Sequence, residues 1–134
     1  MVIDLDAFKD YKRVDKLWGY ELWLTNTEHY CCKILGIKPG FKCSLHRHAI
    51  KSETFIPLLG EAVIRIHVPG TSDSESFDEE ILLGQYSEDR SVRIDPGTWH
   101  QFWSADSGYS VLLEISTFHS DSDVERLEPS GPLV

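Results

Sequence analysis

Nine short runs rich in β-branched and aromatic residues, separated by turn signals, fill the chain from residue 20 onward. They lie at 20–24, 30–37, 42–47, 53–59, 62–68, 80–83, 91–94, 101–103 and 110–116. Between them, "KPG" at 38–40, "LG" at 59–60, "PGTSDSES" at 69–76 and "DPG" at 95–97 supply glycine and proline where tight turns need them. Strands this short bury little alone, so the stable solution is two sheets face to face or one closed barrel. An all-β domain is expected. With 134 residues and no internal repeat or linker, the chain reads as one domain large enough for its own core.

The ends read differently. Residues 1–15, "MVIDLDAFKDYKRVD", are charged with scattered apolar positions and read as a short helix or a loosely held arm. The body is expected over 16–128, with a tail at 129–134. Ser122, with Glu125 three residues on, predicts a capping box for one helical turn, which Pro129 stops. The acidic, serine-rich 70–80 stretch reads as a mobile surface loop.

A formal charge of −9 argues against nucleic-acid and anionic-membrane partners, which need clustered Lys and Arg. It leaves room for an anionic small molecule, because a few local lysines dominate over a few ångströms. The three cysteines include the adjacent Cys31 and Cys32, which project to opposite faces of a strand and so do not suggest a disulfide framework. With no signal peptide or apolar run of spanning length, reduced thiols in a cytoplasmic protein are expected.

The stretch "GFKCSLHRHAIKSETFIPLLG" at 40–60 carries the chemistry. Residues i and i+2 of a strand share a face. His46 and His48 therefore project side by side, with Ser44 and Lys42, while Cys43, Leu45 and Arg47 point away. Two imidazoles aimed at one point are half of a metal site. Glu53, returning after the turn "AIKS", is the natural third ligand, and His100, after the Pro-Gly turn of "RIDPGTWHQFW", the fourth. The cofactor expected is one divalent ion: Mn, Zn, Fe, Co or Ni. His29, His67 and His119 lack same-face partners and read as surface or core residues.

These residues resemble the first cupin motif, glycine-x5-His-x-His-x4-Glu-x6-glycine, at every fixed position: Gly40, His46, His48, Glu53 and Gly60. The second motif is matched through Gly97 and His100, with Asp95 at the usual proline and Ser104 at the usual asparagine. The resemblance implies a cupin jelly-roll barrel. "KLWGYELWLTN" at 16–26 and "LLEISTFHSDSDVERLEP" near the end are similar to the sugar-isomerase cupins, the D-lyxose isomerase and type II mannose-6-phosphate isomerase group. That implies a metal-dependent interconversion of aldose and ketose through a chelated enediol, on a sugar or sugar phosphate, in an expected homodimer.

In such a reaction Glu114, a carboxylate inside the apolar strand "SVLLEIS", is the candidate base. Parity alone leaves its direction open, and the resemblance implies that it faces inward. Lys42 or Lys51 would stabilise the enediolate oxygen or hold a phosphate, and Lys42 is preferred because Lys51 lies in a turn. Phe102, with Trp99 or Trp103, would offer aromatic faces. Trp18, Glu21 and Arg126, from the flanking matches, would close the barrel mouth, touch substrate or cross to a partner. An iron-dependent dioxygenase with the same four ligands and a non-catalytic metal- or sugar-binding module are the competing readings.

Overall fold

Alternating inward and outward side chains sort the strands into two facing layers. A computed structural model of the chain describes residues 4–134. The first layer contains β1 (Lys12–Lys16), β2 (Gly19–Asn26), β3 (Cys31–Ile37), β6 (Glu53–Leu59), β9 (Val92–Ile94) and β11 (Ser110–Ser116), in the order β1-β2-β3-β11-β6-β9. The second contains β4 (Phe41–Lys42), β5 (Leu45–Arg47), β7 (Glu61–Val68), β8 (Phe77–Gly84), β10 (Trp99–Ser104), β12 (Glu125–Glu128) and β13 (Gly131–Pro132). There β8 pairs with β7 and β7 with β10, whose other edge carries both β4 and β5. Every ladder between these strands is antiparallel.

The space between the layers is apolar at one end and polar at the other. Leu35, Phe55, Phe102 and Leu112 belong to the buried apolar cluster. Two residues along the same strands, Lys33, Glu53, His100 and Glu114 are buried on the same inward side. Each strand thus switches from apolar to charged or imidazole as it runs toward one end. A fully buried Phe or Leu is worth about 1.5–3 kcal/mol, so the apolar half can support the polar half. A smaller cluster, Tyr20, Leu22, Ile34 and Val111, lies on the other face of the first sheet. Phe8, at the end of the 3-10 turn Leu5–Phe8, packs against it.

Three expectations about the margins need correction. Residues 12–16 are a strand rather than part of an arm, in full register with β2 from Lys12↔Trp23 to Lys16↔Gly19. The sequence "KRVDK" has one apolar residue, so its pattern was silent. The C-terminal segment forms a turn and then β12, not a helical turn, because pairing with β5 satisfies the backbone there. The acidic stretch becomes β8 at Phe77, earlier than its composition suggests, since β7 offers an edge as far as Val68. All three cysteines are free. Among the described residues no helix is long and apolar enough to cross a membrane.

Candidate metal centre and its cavity

His46 and His100 are cross-strand partners on β5 and β10. His48 follows β5 in the turn, and Glu53 opens β6. Gly97 fixes the other turn: its φ of +83° favours glycine. Its N–H donates to the His48 carbonyl at 2.7 Å. The turn that launches His100 is therefore tied directly to another histidine of the group.

One potential ligand atom from each of His46, His48, Glu53 and His100 lies within 4.8 Å of the others. The hydrogen bonds decide the tautomers. Nδ1 of His46 meets the Ser44 carbonyl at 2.8 Å, Nδ1 of His100 the Thr98 carbonyl at 2.8 Å, and Nδ1 of His48 the Asp123 carbonyl at 2.6 Å. A carbonyl only accepts, so each Nδ1 carries the proton and each Nε2 keeps its lone pair. Burial, then the neighbouring His100, pushes His46 down to about 3. Burial, then the Lys51 charge, pushes His48 down to about 4. Neutral imidazoles are the ligand form.

Glu53 Oε1 and His100 Nε2 are both buried, have no hydrogen-bond partner and stand 2.5 Å apart. Two facing lone pairs out of reach of water are costly unless a cation lies between or beside them. The donor set fits a divalent ion of the Zn, Mn, Fe, Co or Ni class.

Lys51 supports this group from behind. It is 3% exposed, and its Nζ donates to Glu53 Oε2 at 3.1 Å and Glu114 Oε2 at 3.3 Å. The third contact, at 3.1 Å, is His119 Nδ1. Nε2 of His119 donates to Asp121 at 2.9 Å, which leaves Nδ1 free to accept from the ammonium. Burial would lower Lys51, but Glu114 and Glu53 raise it above the usual lysine range. Burial would likewise raise Glu53, yet the Lys51 ammonium beside it works to hold it below the usual carboxylate range. Glu114 is raised, by burial and then by the Glu53 charge.

His46, His48, Lys51, Glu53, Glu114 and His119, but not His100, line a cavity of about 650 Å³ together with Trp18, Trp23, Phe55 and Phe102. The Lys12 and Lys33 ammonium groups lie 4.3 and 4.1 Å from the Trp23 ring centre. Glu114 faces inward, while Ile115 beside it is exposed. Trp18, Glu21 and Arg126 all line this chain's own cavity.

Lys42 is not among the lining residues. The strand is interrupted at Cys43 and Ser44, so the parity that places His46 does not carry back to residue 42. Cys43 and Ser44 both reach the cavity, against the opposite faces expected of them, though the Cys43 sulfur is occupied by the Phe102 N–H at 3.2 Å. Trp99 lies under Arg47, and neither it nor Trp103 lines the cavity. His119 does line it, contrary to expectation, with its ring 6.4 Å from that of His48. Lys33 and Asp123 were not singled out by the sequence, and Lys51 was named there but ranked behind Lys42. Lys33 carried a signal, as the one charge in the run "CCKILGI".

No family model matches the chain. Among solved structures, the capsular polysaccharide assembling protein CapF from Staphylococcus aureus superposes over 88% of this chain with a TM-score of 0.74 and 20% identity. Oxalate decarboxylases superpose over 90%. For that of Bacillus subtilis the TM-score is 0.65 at 20% identity, and for that of Lactobacillus farciminis, in a formate complex, 0.66 at 18%. The fold is a cupin jelly roll. The chain spans about a third of each of those chains, which it covers to 32%, 31% and 35% respectively. At such identities the likeness concerns architecture. The four-residue group of this chain rests on its own geometry.

Proposed function

We propose that this cupin is a metal-dependent isomerase interconverting an aldose and a ketose of the lyxose or mannose type. The observation that carries the reading is Glu114, a buried carboxyl on the wall shared with the metal group yet not a member of it, with a proton affinity raised by its surroundings. The same cavity is lined by Trp18, Glu21 and Arg126, the residues on which the resemblance to sugar-isomerase cupins rests.

A divalent ion held by His46, His48, Glu53 and His100 would supply Lewis-acid polarisation of the sugar carbonyl. The chain's own groups do the rest. Lys51 holds Glu114 by Oε2, which leaves Oε1 to take the proton from C2 and return it at C1, while the hydroxyl proton passes from O2 to O1. The same ammonium fixes Glu53, so the base and the metal ligand are set by one cation. Proton transfer of this kind is typically worth ~10²–10⁴ in rate.

The test is proton NMR of metal-loaded protein with aldoses and aldose phosphates in deuterated water. The reading expects turnover with deuterium at C1, and loss of about 10²–10⁴ in kcat for Glu114→Gln with metal content unchanged. Turnover without label points to hydride transfer, and oxygen uptake with Fe(II) to a dioxygenase. Binding without any reaction leaves a metal- or sugar-binding module.

A further inference from the structure

The cavity's mouth has a charge opposite to that of the chain. Its exposed lining residues with charge are Lys12, Lys16, Arg126 and Asp121, three cations against one carboxylate, in a protein of formal charge −9. Asp121 is already engaged by His119 at 2.9 Å. The cations converge from both layers. Lys12 and Lys16 share the inward face of β1 with Val14, which also lines the cavity. Arg126 is the cross-strand partner of His46, itself the partner of His100, so Arg126 continues the row of metal-group histidines by one strand.

Pairing divides the cations of the cavity; outside it Lys9, Lys38, Lys42 and Arg90, like the three at the mouth, form no ion pair among the described residues. Arg13, Arg47, Arg65 and Arg93 each reach a carboxylate within 3.3 Å. Among the described residues Lys12, Lys16 and Arg126 form no such pair, although the chain has 22 acidic residues to offer. Deeper in the cavity the lysines are occupied: Lys33 stands 3.6 Å from Glu21, and Lys51 is held by Glu53 and Glu114. The cations at the mouth are the cavity's ones without a carboxylate partner, Lys12 resting on the Trp23 ring with its ammonium still able to donate to a ligand.

We propose that Lys12, Lys16 and Arg126 form an anion clamp that holds a phosphate or carboxylate group of the substrate, at the end remote from the carbons that react. This rests on the isomerase reading for the site's chemistry, and it narrows the substrate to an acidic sugar. Arg126 presents the planar fork suited to an oxyanion, and the two lysines supply point charges from the facing sheet.

The experiment is calorimetric binding to the zinc-loaded protein, with mannose, mannose 6-phosphate, glucuronate and inorganic phosphate as probes. At least one anionic probe should bind about tenfold or more tightly than mannose, as expected for one or two charge-assisted contacts. That advantage should shrink at high salt. It should also fall by about tenfold in Lys12→Gln/Lys16→Gln and in Arg126→Gln, with mannose affinity, zinc content and circular dichroism unchanged. Preference for mannose 6-phosphate over glucuronate, or the reverse, supports the clamp and identifies the group. Equal affinity for neutral and anionic probes overturns it. So does anion affinity indifferent to both variants, which would place the anion on the metal. Binding does not require turnover: anion preference without isomerisation keeps the clamp and removes the isomerase reading, while isomerisation of neutral sugars alone does the opposite.

Discussion

His46 and His100 face each other across β5 and β10 with ring centroids 4.3 Å apart, each Nδ1 bonded to the carbonyl two residues earlier in its own chain. The shared arrangement leaves both Nε2 atoms bare toward the same point. Removing either ring should abolish the site without unfolding the sandwich, because the apolar cluster lies at the other end. His46→Ala and His100→Ala should each fall from about one bound ion per chain to near none after dialysis, measured by plasma mass spectrometry.

Lys51 is predicted to be the most sensitive position near the site. Lys51→Met leaves Glu53 and Glu114 buried without their common cation, which should cost about 3–5 kcal/mol in urea unfolding. Adding Glu114→Gln to Lys51→Met should recover part of that loss, since it removes one of the two stranded charges. Equal stability of Lys51→Met and the unmodified protein would contradict the role assigned to this ammonium.

Stability of the metal-free protein should depend on acid in a defined window. His48 and His46 are held down to about 4 and about 3, against an ordinary value of 6.5. Below 6.5 the unfolded chain gains protons that the folded chain refuses, so stability falls as pH falls, by up to about 1.4 kcal/mol per unit for each histidine. The loss should level off near pH 4 for His48 and near pH 3 for His46. Calorimetry of the metal-loaded protein should show a higher midpoint with at least as steep a dependence between pH 6.5 and 5, because the ion adds native stability while a metal-bound imidazole takes up no proton.

Gly97 offers a test of backbone geometry alone. A Cβ added there meets nothing within 4 Å, so strain at φ +83° is the whole cost. Gly97→Ala should lower stability by about 1–2 kcal/mol, and Gly97→Asn by less, as read from thermal midpoints. Metal affinity should fall with the same ranking, because the Gly97 N–H holds the His48 carbonyl.

The residues that were legible in the sequence are those whose placement is local. The two-residue spacing aligned His46 with His48, although β5 ends at Arg47 between them, and turn chemistry returned Glu53 and launched His100. Lys51 was named but ranked behind Lys42, because its burial comes from partners such as Glu114 and His119, 63 and 68 residues away in the chain. Lys42 was misplaced because a strand period holds only while the strand continues, and this one breaks at Cys43. Outer strands such as β1 escaped notice because an edge with a single apolar residue leaves no alternation to read. Asp123 shows the same limit. Its side chain accepts from the backbone N–H groups of Ala49, Ile50 and Lys51, and nothing near residue 123 announces that.

Anomalous diffraction from crystals of zinc-loaded protein, collected on both sides of the metal's absorption edge, addresses the metal centre itself. The arrangement of lone pairs predicts a single strong peak bonded to Nε2 of His46, His48 and His100 and to Glu53 Oε1. A peak elsewhere, or none at this position in protein carrying about one ion per chain, would contradict it.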